Sequence, residues 1–202
     1  MEARHARPDI YGLHILALSQ GGYFDRADAR AHGLSDRLLH HYVHTGRFER
    51  VFPGVYRLAV APLSPHDDLL QAWVWSTYRG AISHESALAL FGLSDVLPSR
   101  VQITVPPGFR RHTDRFDVYH AALSAEEALP YEGLRVTTPA RSIADAAASG
   151  TGPEQIHLAI AQAVARGLAS PAQLRTAAGR PHYRYRRSVV SLIEEALAHA
   201  RS

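Results

Sequence analysis

Four side chains able to bind phosphate oxygens and base edges recur at helical spacing early in the chain: Arg37, His40, His41 and His44. Positions i, i+3, i+4 and i+7 share one face of an α-helix, so a helix here presents one guanidinium and three imidazoles together. An arginine near the start of such a helix can pair bidentately with guanine O6 and N7. Imidazoles can donate to phosphate oxygens, more strongly when protonated. Arg47, Arg50 and Arg57 follow within two β-prone runs, where guanidinium groups suit backbone phosphate. Glu49, between Arg47 and Arg50, takes part of that charge. Asp36 can orient Arg37, accept from cytosine N4, or simply balance the helix N-terminus. The histidine spacing also admits a metal ion. With no cysteine and no assured carboxylate ligand beside it, no metal and no other cofactor is expected.

These side chains need particular elements to carry them. Ser35 is a good N-cap, Leu34 can staple against Leu39, and Gly46 suits the left-handed residue that ends a helix. Leu38, Leu39, Tyr42 and Val43 form the apolar stripe opposite the basic face. The β-prone runs, 47–52 and 55–58, are joined by the turn pair Pro53-Gly54. Upstream, residues 10–20 predict a first, largely buried helix, broken by Gly21-Gly22. Asp25 caps a short helix running to His32, stopped by Gly33. Helix, tight turn, helix and hairpin together are a winged helix-turn-helix, whose second helix lies in the major groove. The predicted DNA-contacting set is Ser35, Arg37, His40, His41, His44, Arg47, Arg50 and Arg57.

Composition narrows the remaining classes. The chain has 202 residues, 46% hydrophobic and 20% charged, as in ordinary globular proteins. No apolar run is long enough to span a bilayer, and the N-terminus has no apolar signal core, so a cytoplasmic protein with no membrane partner is expected. All 22 basic residues are arginine. Without lysine there is no P-loop, no Schiff-base chemistry and no carboxylate-plus-lysine nuclease site. The net charge of +3 permits nucleic-acid binding without requiring it. Residues 155–193 contain no acid but six arginines.

Residues 59–64 read as a short junction, giving a winged-helix domain over 1–60 and a mixed domain over 63–202. Ser64-Pro65 predicts a helix start, and Ser83 caps another short helix stopped by Gly92. Runs 101–105, 116–120 and 134–137 predict strands of a small sheet. From Thr138 onward the pattern is helical, with Ser170-Pro171 and Gln173 forming a capping box. The predicted fold class is therefore α+β. The run 179–187 interleaves arginine with aromatics, so Arg180, His182, Arg184, Arg186 and Arg187 form a second candidate nucleic-acid patch. Arg110, Arg111, His112 and Arg115 read as a solvated loop beside Asp114 and Asp117. His84-Glu85 and the carboxylates Asp67, Asp68, Asp95, Glu126 and Glu127 are the only hints of catalysis, and no catalytic residue or enzymatic activity is predicted from them. Arg141 and Asp145, four apart, are expected to pair structurally.

The order ALSQGGYF, GLSDRLLHHYV, GRFERVFPGVYRL, SHESALALFGLSDVLP and VTTPARSIADAA resembles the AbiEi family of antitoxins from type IV toxin–antitoxin systems. The similarity runs over about residues 10–150. It implies an N-terminal winged helix-turn-helix that represses its own operon, contacting double-stranded operator DNA through the positions named above. It also implies a C-terminal domain that neutralises a nucleotidyltransferase-like toxin without a stable complex. Some similar chains continue into a Vsr-like endonuclease domain, and no such domain is expected here. Two other functions remain open from the residues alone. One is a ligand-responsive transcription factor with no toxin, and the other is a nuclease or transferase built around Glu85.

Overall fold

The computed structural model describes residues 7–180 and 186–199. The chain divides into two compact units, Met1–Tyr78 and Arg79–Ser202.

The first unit opens with α1 (Ile10–Ser19), whose N-cap Asp9 accepts from the Gly12 amide at 2.8 Å. Only Leu13 and Ala17 of this helix are buried, while Tyr11, Ile15 and Leu18 face solvent. The expected largely buried helix thus docks through one narrow stripe. The chain then turns at Gly21 and Gly22, with φ of +67° and +91°. A Cβ at Gly22 would sit 2.4 Å from the Ala61 side chain, so glycine is required there for space as well as conformation. Directly after comes β1 (Tyr23–Asp25), a strand the sequence did not announce. Asp25 then caps α2 (Arg26–Ala31) in a reciprocal box with Asp28.

A tight turn leads to α3 (Asp36–His44), followed by the hairpin β2 (Phe48–Phe52) and β3 (Val55–Leu58). Pro53-Gly54 joins the hairpin, with Gly54 at φ +82°, as a type II turn demands at its third position. The sheet order is β1-β3-β2, antiparallel throughout, with Phe24 opposite Tyr56 and Glu49 opposite Arg57. This arrangement of helices and strands is a winged helix-turn-helix. Its core gathers Leu13, Phe24, Leu34, Leu39, Phe48 and Leu58. Phe24 lies edge-on to Phe48 at 5.0 Å and stacks on Tyr56 at 5.6 Å. Such aromatic pairs contribute about 0.5–1.5 kcal/mol beyond their buried area.

Helix α4 (Asp67–Trp75) completes the first unit by packing on β1 and β3. Its regular part starts at Asp67 rather than Pro65, and the Asp67 carboxylate accepts from the Ser64 amide at 3.1 Å, as an acid three residues after a cap does. Beyond its end, the Tyr78 hydroxyl donates to the Asp28 carboxylate and accepts from Gln20 Nε2 at 3.1 Å. Burial first, then the hydrogen bond to Asp28, push that phenol above its usual range. The first unit therefore runs past the expected junction at 59–64 to Tyr78.

The second unit holds a five-stranded sheet, order β6-β5-β4-β8-β7. Its strands are β4 (Ala81–Ile82), β5 (Gln102–Val105), β6 (Asp117–His120), β7 (Ala128–Tyr131) and β8 (Leu134–Thr137). β4 is antiparallel to β5 and parallel to β8, β5 is parallel to β6, and β7 is antiparallel to β8. Helix α5 (His84–Phe91) ends at Gly92 in the left-handed region, as expected. Four helices follow the sheet: α6 (Pro139–Ser149), α7 (Pro153–Ala165), α8 (Pro171–Ala178) and α9 (Arg186–His199). The Ser170–Gln173 capping box is present, and Val189, Ile193, Ala196 and Leu197 are the buried stripe of α9. The whole is a mixed α+β protein with an N-terminal winged helix-turn-helix.

Candidate nucleic-acid interface

Local sequence builds the exposed helix in a few steps. Ser35, itself exposed, accepts from the Leu38 amide at 3.3 Å and so satisfies one of the free donors of the first turn. Leu34 and Leu39 both enter the core, fixing the angle at which the chain enters α3. Leu39 is the only fully buried residue of α3, with Leu38, Tyr42 and Val43 packed against the core edge. The outer face carries Arg37, His40, His41 and His44, all exposed. Gly46, at φ +71° with nothing within 4 Å of a Cβ placed there, turns the chain into the wing.

Wing and helix are joined by aromatic packing. The Arg47 guanidinium lies 5.4 Å from the Tyr42 ring centre, and the Arg47 amide donates to the Tyr42 carbonyl at 2.9 Å. Tyr42 in turn tilts against Phe48 at 5.1 Å. Arg47 is therefore held at the C-terminal end of α3, with its charge still exposed. Arg50 is exposed on β2, across from Tyr56. Among the described residues neither Arg37 nor Arg50 has a carboxylate partner. At the wing tip the Arg26 amide donates to the Gly54 carbonyl at 3.2 Å, tying the hairpin turn to α2.

Arg57 is placed differently from the sequence expectation. It is only 5% exposed, donates from Nη2 to the Ala61 carbonyl and lies 3.4 Å from Glu49 through Nη1. Its guanidinium also sits 5.9 Å from the Tyr23 ring. The reason is strand position: β3 is the middle strand, and all four of its residues are buried. Glu49 is consequently drawn to Arg57 and does not neutralise Arg47 or Arg50. The candidate surface set is thus Ser35, Arg37, His40, His41, His44, Arg47 and Arg50.

Asp36 stands in the first turn of α3, where an acid suits the helix N-terminus, and it does not orient Arg37. Its carboxylate accepts from Arg26 Nε at 2.8 Å, again from Arg26 Nη2, and from Arg30 Nη2 at 3.0 Å. The hydrogen bonds from Arg26 and then Arg30 lower its pKa to about 2. Sequence spacing could not reveal this clamp, because its partners are six and ten residues upstream on another helix.

The second candidate patch is only partly described. Arg180 pairs with Glu127, which also accepts from Arg141 at 3.1 Å. His182 and Arg184 lie outside the described residues, and so do the side chains of Arg186 and Arg187 at the start of α9.

Several polar residues of the second unit are buried within it. Arg141 donates from Nε to both Asp145 oxygens, at 2.8 and 2.7 Å, the expected i, i+4 pair, now in full burial. His84 is buried at φ +53°, stacked on Tyr119 at 3.7 Å, with Nδ1 2.9 Å from Ser83 Oγ. Burial first, then the Arg141 charge, lower its pKa to about 3. Glu85 accepts from Thr151 Oγ1 at 2.7 Å instead of meeting His84. The adjacent His84 and Glu85 therefore point to different partners, and Asp67 is spent on a backbone turn.

With that geometry in place, comparison with known proteins is informative. Residues 13–59 match the model of a family described as "Transcriptional regulator, AbiEi antitoxin". The matched segment runs from inside α1 to the end of the wing, so the resemblance read from the sequence is borne out there. A crystal structure of the RV2827C protein from Mycobacterium tuberculosis has a similar fold, with a TM-score of 0.62 at 16% identity. The likeness covers 94% of this chain and 75% of that one. No curated protein matches the chain in sequence. Among the described residues, no helix is long and apolar enough to cross a membrane.

Proposed function

We propose that this chain binds double-stranded operator DNA through α3 and the wing, represses its own operon, and serves as the antitoxin against a nucleotidyltransferase-like toxin without forming a stable complex with it. The observation that carries the DNA reading is the face of α3. Helix α3 gives the core Leu39, with Leu38, Tyr42 and Val43 at its edge, and gathers Arg37, His40, His41 and His44 on its exposed face. In helix-turn-helix proteins the second helix enters the major groove with its N-terminal residues at base edges. Arg37 is the base-reading residue on this account, with Arg47, Arg50 and the histidines positioned for phosphate. The antitoxin part rests on the family match of residues 13–59, and its effector is the second unit.

A promoter reporter combined with growth under toxin expression tests both parts. On this reading the toxin is a nucleotidyltransferase-like protein encoded beside this chain, and that reading frame supplies it for the assay. Wild type should silence the reporter and restore growth. The double variant Arg37→Ala/Arg50→Ala should release the reporter while still protecting cells that express the toxin from an unrelated promoter. An unaffected reporter would overturn the DNA reading, and no protection by the wild type would overturn the antitoxin reading.

A further inference from the structure

Asp36 stands in the first turn of the helix assigned to the major groove, yet its carboxylate is turned to α2 and holds two guanidinium groups at once. The three side chains are half exposed, at 49% for Arg26, 49% for Asp36 and 57% for Arg30, so solvent and ligands reach them. Helix α2 is the element that crosses the DNA backbone in a helix-turn-helix. Arg26 and Arg30 are therefore the arginines of α2 that phosphate would recruit, and a carboxylate already occupies them.

Resting on the DNA-binding reading above, we propose that Asp36 is a specificity-determining residue that withholds Arg26 and Arg30 from the phosphate backbone. It thereby suppresses affinity for DNA of arbitrary sequence. Phosphate contacts supply nearly all non-specific affinity and carry no sequence information. A repressor competes with a very large excess of non-specific sites, so what matters is the ratio of specific to non-specific binding. Exposed ion pairs are screened by solvent and contribute little to folding, so the clamp is a modest stabiliser of the turn. Its charge effect is larger. With Asp36 ionised the three groups carry one net positive charge, and without it they carry two, both on guanidinium groups free to turn outward. Arg37, on the exposed face of α3, is not part of the clamp and keeps its base-reading role.

The test uses the full chain, a duplex from its own upstream region and a random-sequence duplex, with binding followed by fluorescence anisotropy between about 50 and 200 mM salt. Asp36→Asn should bind the random duplex more tightly than wild type. Its plot of log affinity against log salt should steepen by about 0.9 for each phosphate newly contacted, up to two. Asp36→Glu keeps the charge and should retain the wild-type slope. The double variant Arg26→Gln/Arg30→Gln should leave the wild-type slope on random DNA unchanged, because those arginines are already occupied. Thermal unfolding of each variant separates charge effects from loss of fold. An Asp36→Asn chain that melts like wild type but keeps its slope would overturn the inference, as would a slope that falls in the arginine double variant. Failure of the wild type to bind either duplex would overturn the DNA reading itself.

Discussion

Helices α3 and α6 are nine and eleven residues long, and each carries one arginine in its first turn and one aspartate. They spend those residues in opposite ways. α3 buries one side chain and shows its charge to solvent, whereas α6 buries everything from Pro139 to Ala146, charges included. A guanidinium that already has buried carboxylates is a structural part, and removing either member leaves the other uncompensated. A guanidinium on an exposed face with no carboxylate has nothing to hold together and is available to a ligand. Arg141 and Arg37 are the two cases within one chain.

Arg141 is where the two helices should differ most in consequence. Arg141→Ala leaves Asp145 and Glu127 without their shared cation and should destabilise the second unit by about 3–5 kcal/mol. Urea unfolding followed by far-UV circular dichroism measures it, and a loss below about 1 kcal/mol, the range of exposed pairs, would show that the pair is replaceable.

Next in size is the response of the second unit to acid. His84 is held neutral, with its pKa lowered to about 3, while its unfolded value is near 6.5. The unfolded chain therefore binds the extra proton between those values. Stability due to His84 is complete above about pH 6.5 and is lost, by up to about 1.4 kcal/mol per pH unit, as pH falls toward 3. His84→Asn, with a side chain tolerated at positive φ, should flatten that part of the pH–stability curve. An equal slope in the variant would place the acid sensitivity elsewhere.

Arg57 sharpens the comparison within the first unit. Arg57→Ala strips the Ala61 carbonyl and Glu49 of their partner, so a loss of about 1–3 kcal/mol in stability is expected, with no change in the salt dependence of DNA binding. Arg50→Ala should do the reverse, lowering the salt slope by about 0.9 and leaving the melting temperature alone. If the two variants exchanged these effects, the assignment of inner and outer arginines would be inverted.

The smallest expected effect is that of the cap. Ser35→Ala removes the acceptor for the Leu38 amide and should cost about 1 kcal/mol of first-unit stability, read from chemical unfolding. No measurable loss would mean that the turn before α3 is held by Leu34 and Leu39 alone.

How much of this was legible in the sequence follows from the range of the interactions. The caps, the stops at Gly33, Gly46 and Gly92 and the Pro53-Gly54 turn are local, so α2, α3, α5 and the hairpin could be read directly. The strands β1 and β4 are three and two residues long, too short to show alternation, and β7 is an edge strand carrying Pro130, which argues against a strand in sequence. The exposed histidines and arginine of α3 followed from helical spacing. Arg57 did not, because alternation tells inside from outside only when one face of a strand is open, and β3 is covered on both. Helix α4 looked like the start of a second domain because its packing on β1 and β3 is a long-range fact.

Whether α3 reads base sequence is decided by Arg37→Ala. Anisotropy titrations of wild type and variant against the upstream duplex and a random duplex, at one salt concentration, give the discrimination ratio. The account predicts a loss of about 1–3 kcal/mol on the upstream duplex, a smaller loss on the random one, and an unchanged melting temperature. Equal affinities of variant and wild type for both duplexes would contradict it.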